Sequence, residues 1–117
     1  MTIIDLINLA FAILSIGLGA VGWLAPRYVM EVLDIQTTKS NMGLSEIRAA
    51  SGALYIGLGL GAVILASSDA YIMLGAVWLG AALGRITSIL LDGSTPKKIG
   101  FFVCEVAIGV IGIAINL

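Results

Sequence analysis

The sequence predicts an all-α membrane protein, a four-helix transmembrane bundle with a short interfacial helix after the first span. Three observations carry this. The 117 residues are 60% hydrophobic and 11% charged, against about 25% charged residues in ordinary soluble domains. Mean hydropathy is +1.13, so too little polar surface exists to cover a soluble fold of this size. Four apolar segments approach the roughly 20 residues a bilayer crossing requires, and short polar turns separate most of them.

The first span is expected over residues 3–24, where Ala25-Pro26 stops it. Asp5 near its start, with no preceding lysine or arginine, argues for a retained helix and against a cleaved leader. The segment PRYVMEVLDI follows. Proline suits a first helical turn, and Tyr28, Val29, Val32 and Leu33 fall on one face, so a short helix along the membrane surface is predicted. The stretch QTTKSNMG is then a loop. The second span is expected over 45–66 and the third over 70–91. Ser67-Ser68-Asp69 between them is short enough to force antiparallel neighbours. DGSTPKK (92–98) is a turn by its Asp-Gly and proline, and the fourth span runs over 99–117. All four belong to one integral membrane domain, residues 1–117.

Charge sets the topology. Arg27, Lys39, Arg48, Arg85, Lys97 and Lys98 all lie in, or nearer to, the first and third connections, whereas Asp5 and Asp69 stand at the other face. Positive residues stay cytoplasmic, so both termini are expected to face outward. Lipid offers helices no hydrophobic reason to associate, and small residues at their contacts supply much of the packing instead. Ala49, Ala53, Gly57 and Gly61 recur at four-residue steps in the second span, and Ala76, Gly80, Gly84 and Ser88 do so in the third. The two stripes are expected to face each other. A homo-oligomer through leftover glycine faces is left open.

The buried charges are the candidates for function. At about 1.5 Å per helical residue, Arg85 lies about 9 Å inside the loop-side end of the third span, and Glu105 about 9 Å inside the fourth. Each alone costs at least ~2.5 kcal/mol at the membrane centre and less nearer the interface. An Arg85–Glu105 ion pair offsets that cost, with Asp92 available from the loop side because it shares a face with Arg85 and Ser88. In the second span, Glu46 occupies the first turn, where the helix dipole favours an anion. Arg48 points elsewhere, on a face that continues through Ser51 and Gly52 to Tyr55. One loop-side cavity lined by Arg48, Ser51, Tyr55, Arg85, Ser88, Asp92 and Glu105 is therefore expected. Two arginines there suit a carboxylate, a phosphate or a lipid headgroup. The alternative is that the charges staple helices in register and bind nothing. Asn8 reads as a hydrogen bond between helices, and Trp78 as a core or lipid-facing ring.

Other functions lack a chemical basis in the residues. Net charge is −1, so no basic surface points to nucleic acid. Histidine is absent and Cys104 stands alone. No metal cluster, cofactor or nucleophile–base pair is therefore expected, and the protein reads as non-enzymatic. The lipid bilayer, a small anion or lipid, and another membrane protein are the expected partners. Transport is a weaker reading, because the outer half carries only Asp5 and Asp69, at its rim.

The stretches SEIRAASGALYIGLGLG and LGRITSILLDGSTP resemble a family of small four-span bacterial proteins, the domain-of-unknown-function 4345 family, and are more distantly similar to DoxX-like membrane proteins. Glu-Ile-Arg-Ala opening the second span, the Gly-Leu-Gly run after it, and Gly-Arg…Asp-Gly closing the third carry the resemblance. Tyr55 comes later here than the tyrosine in the family's pattern. The resemblance implies a four-span fold in the bacterial inner membrane, and no reaction.

Overall fold

A computed structural model describes residues 1–117 and contains helices and no strands. In chain order these are α1 (Ile3–Leu24), α2 (Pro26–Val32), α3 (Met42–Arg48), a π-helical turn (Ala49–Ala53), α4 (Leu54–Leu65), α5 (Ser68–Asp92) and α6 (Pro96–Ala114). Three stretches are long and apolar enough to cross a membrane: Ile3–Leu24, the continuous run Met42–Leu65, and Ser68–Asp92. The segment expected as a fourth span forms α6, which is not among these three; it starts three residues earlier than predicted, ends at Ala114, and opens on Pro96-Lys97-Lys98.

Local chemistry explains the helix ends. At α1, Thr2 and Asp5 satisfy each other. The Thr2 N–H donates to Asp5 Oδ2 at 2.8 Å, and the Asp5 N–H donates to Thr2 Oγ1 at 3.1 Å, a reciprocal cap of otherwise orphaned donors. Ser67 caps α5 by accepting from the Ala70 N–H, and Thr95 caps α6 by accepting from the Lys98 N–H. Both caps lie outside the predicted bounds of 70 and 99, which explains the earlier starts. The short helix after the first span is present. It ends where Asp34 turns left-handed at φ 58° and Ile35 N–H reaches back to Met30 O at 2.8 Å, a Schellman closure. Its covered residues are Pro26 and Met30, whereas Tyr28 is exposed and Val29, Val32 and Leu33 are half-buried.

The chain divides into two compact units, Leu9–Ile64 and Met1–Asn8 with Leu65–Leu117. In the first unit, α1 meets the α3–α4 run backbone to backbone. A Cβ added at Gly19 would lie 2.6 Å from Gly52 O, and one at Gly59 would lie 2.6 Å from Ala12 O; one at Gly22 would strike Ser51 O. In the second unit, α5 and α6 form the hairpin. A Cβ at Gly75 would lie 3.0 Å from Gly109 O, and one at Gly109 would lie 2.5 Å from Leu79 Cγ. Small residues therefore mark the helix crossings, as membrane packing requires, but these are not the predicted stripes. Gly57, Gly61, Gly80 and Gly84 have nothing within 4 Å of an added Cβ. The four-residue recurrence was present in several phases, and the crossing points selected others.

The π turn alters the second span. Gly52, at φ −125° and ψ −107°, leaves the helical region. A Cβ there would meet Trp23 N at 2.7 Å, so only glycine permits the approach of α1. A π turn widens the helix by a residue, and the α-helical phase that placed Arg48, Ser51 and Tyr55 on one straight face is not kept across 49–53.

Candidate functional site

The α5–α6 hairpin brings Arg85 and Glu105 together. Arg85 sits in the fifth turn or so of α5, and Glu105 lies midway along α6, facing α5. Arg85 Nε donates to Glu105 Oε1 at 2.9 Å. The Arg85 Cζ also lies 5.3 Å from the centroid of the Phe101 ring. Phe101 is one turn before Glu105 on α6, so one helix supplies both the anion and the ring face that hold the guanidinium. The side chain of Arg85 is 35% exposed and that of Glu105 only 6%. The contact is thus asymmetric, with a carboxylate inside the protein and a guanidinium reaching its edge.

The pair is also incomplete. Glu105 Oε2 is buried and accepts no hydrogen bond. An arginine and a carboxylate can close a forked pair with two parallel bonds. Here a single bond through Nε is made, and the second carboxylate oxygen is left without a donor.

The remaining predicted residues fall as follows. Ser88 is half-buried on α5, and Asp92 is exposed as the last residue of that helix. Asp92 does not join Arg85, which is a correction; at the turn, Lys98 Nζ instead donates to Gly93 O at 2.8 Å. Arg48, Ser51 and Tyr55 belong to the unit Leu9–Ile64. Within it Arg48 Nη1 donates to Trp23 O at 2.6 Å. That carbonyl is among the last four of α1, which have no partner within the helix, so Arg48 caps α1 and also meets the negative end of its dipole. Ser51 and Tyr55 are half-buried. An open groove of about 570 Å³ beside Arg48 is lined by Trp23 and by residues of the loop and of the α3–α4 run.

Two polar features escaped the sequence reading. Asn8 was read as a hydrogen bond between helices; its partner is Asn116, in the turn after α6, with Asn8 Nδ2 donating to Asn116 Oδ1 at 2.8 Å and Asn116 Nδ2 returning a bond to Asn8 Oδ1 at 2.8 Å. Asn116 itself was not singled out, although the depth matching used for Arg85 and Glu105 also places both asparagines near the chain termini. It donates further to Gly112 O at 2.7 Å. Ser15 is fully buried, with its Oγ donating to Phe11 O at 2.9 Å. Trp78 is buried, which makes it a core ring. No sequence signal could have found the Arg48–Trp23 contact, because its acceptor is main chain.

A family profile described as a domain of unknown function, DUF4345, matches residues 3–115. The chain belongs to the DUF4345 family. In this DUF4345 member the match covers every helix named above, from the capped start of α1 to the end of α6. No curated protein matches the chain, and no solved structure does.

Proposed function

We propose that this DUF4345 member is a non-enzymatic, multi-pass protein of the bacterial inner membrane. In this reading it crosses the bilayer four times, with α6 as the last span and α2 on the cytoplasmic surface. Both termini face outward. Its function is to bind a small anionic molecule or a lipid headgroup at the loop-side end of the α5–α6 hairpin.

The half-made ion pair supports this reading. A carboxylate that served only to staple two helices gains by satisfying both oxygens, because an unpaired buried acceptor costs about 1–3 kcal/mol. Here the Nε bond and the Phe101 ring orient the guanidinium in advance. A ligand carrying an anionic oxygen would match it: the oxygen accepts from the terminal nitrogens of Arg85, whose side chain reaches the protein's edge. Ser88, one turn along α5, and Asp92 line the approach.

Cysteine labelling tests the proposal. With Cys104→Ser as background, Ser88→Cys should react with a membrane-impermeant thiol reagent offered from the cytoplasmic side, and an added anionic ligand should slow the reaction. Complete protection of that cysteine in the absence of ligand would argue against an open site.

A second reading has its own observation. Gly57, Gly61, Gly80 and Gly84 present open faces, which is what close packing against a further transmembrane helix requires. Under that reading the protein is an assembly partner, or a homo-oligomer, and Arg85–Glu105 is an internal staple.

A further inference from the structure

The groove beside Arg48 carries a second and separate site. Its polar end holds Arg48, Asn41 and Ser45; its apolar side holds Trp23, Leu44, Ala49 and Ala53. No carboxylate lines it. Arg48 is fixed by one terminal nitrogen to Trp23 O, and its exposed side chain lines the groove. Asn41 and Ser45 are exposed and add neutral hydrogen-bonding groups beside that cation. Ala49 and Ala53 are exposed and small, and with Leu44 and Trp23 they form the apolar part of the lining. Trp23, 47% exposed, supplies the amphipathic ring that settles at headgroup level in membranes.

A lone cation with neutral donors beside it and apolar side chains next to them suits an amphiphile with an anionic head. Inorganic phosphate would satisfy the guanidinium and leave the apolar side chains unused. A zwitterionic headgroup would bring an ammonium for which the lining has no acid. Three stretches are long and apolar enough to cross a bilayer, which makes lipid the amphiphile to test.

We propose that this groove binds an anionic glycerophospholipid, with the phosphodiester on Arg48, Asn41 and Ser45, and one acyl chain along Ala49 and Ala53 past Trp23. The site shares no residue with the Arg85–Glu105 contact, so either assignment can fail without the other.

Native mass spectrometry of the detergent-purified full chain tests it, with phosphatidylglycerol and phosphatidylcholine added in equal amounts. The wild type should retain phosphatidylglycerol several-fold over phosphatidylcholine, because both phosphodiesters can meet Arg48 whereas the choline ammonium finds no acid in the lining. Arg48→Gln should bring the two lipids level. Because Arg48 also caps α1, its loss risks the fold, so Ala53→Phe serves as the second variant. It blocks the apolar part of the lining at an exposed position and should lower retention of phosphatidylglycerol with Arg48 intact. Arg85→Gln separates this groove from the hairpin site: a preference lost in Arg85→Gln but kept in Arg48→Gln would place the lipid at the hairpin and overturn the assignment. Equal retention of the two lipids by the wild type, full retention by Ala53→Phe, or displacement of phosphatidylglycerol by excess inorganic phosphate would each overturn the assignment.

Discussion

Replacing either member of the Arg85–Glu105 pair should destabilise the protein, but not equally, and the inequality follows from burial. Two unit charges about 4 Å apart attract by ~4 kcal/mol at an effective dielectric of about 20. Breaking a buried pair by removing one partner typically costs about 3–5 kcal/mol, because the survivor is left as an uncompensated charge. Arg85→Leu strands Glu105, whose side chain is 6% exposed and whose Oε2 already lacks a donor. The full range of about 3–5 kcal/mol is expected for it. Glu105→Leu strands Arg85, whose side chain is 35% exposed. A long arginine can carry its charge toward the interface while its stem stays in lipid, so a loss of only about 1–2 kcal/mol is expected, once solvent screening is allowed for. The double variant Arg85→Leu/Glu105→Leu should recover most of the loss. The assay is reversible unfolding in bicelles, analysed as a double-mutant cycle. If Glu105→Leu proves the more damaging change, or if the two single losses simply add, the asymmetric pair is the wrong account of how these charges are held.

Three further outcomes are expected. Gly22→Ala should lower stability by about 1–3 kcal/mol because its Cβ strikes the Ser51 main chain, while Gly80→Ala, which meets open space, should shift it by no more than about 0.5 kcal/mol; equal effects in thermal melts would refute the packing described. Asn8→Leu should cost about 1–2 kcal/mol, since two bonds to Asn116 are lost at the modest strength usual inside membranes, and Asn8→Leu/Asn116→Leu should restore part of it in the same unfolding assay. For the proposed orientation, single cysteines at Thr2 and Ser68 should react with an impermeant reagent from the periplasmic side of spheroplasts, and one at Lys39 should react only from inverted vesicles; the opposite pattern would reverse the topology.

Much of this architecture is legible in the sequence because bilayers impose lengths. The bounds of α1 follow from an apolar run stopped by a proline. The hairpin of α5 and α6 follows from a short polar turn, and the Arg85–Glu105 contact from matched depth on consecutive helices. What escaped depends on three-dimensional approach. Four-residue spacing of glycine cannot say which phase meets a neighbour, so Gly57 and Gly80 looked as suitable for packing as Gly52 and Gly75. The π turn at Ala49–Ala53 arises from the close pass of α1 over Gly52, which no local pattern announces. For the candidate site, residue types indicated where charge would be buried. They could not indicate that Glu105 would leave Oε2 unfilled, because that depends on which edge of the guanidinium it meets.

The most direct test of the account is a solid-state NMR distance measurement in lipid bilayers, between nitrogen-15 at Arg85 Nε and carbon-13 at Glu105 Cδ. A strong dipolar coupling, as a direct 2.9 Å Nε–Oε1 contact demands, is the predicted result, and it should vanish in Glu105→Leu. No coupling in the wild type, with the guanidinium turned into lipid or paired elsewhere, would contradict it.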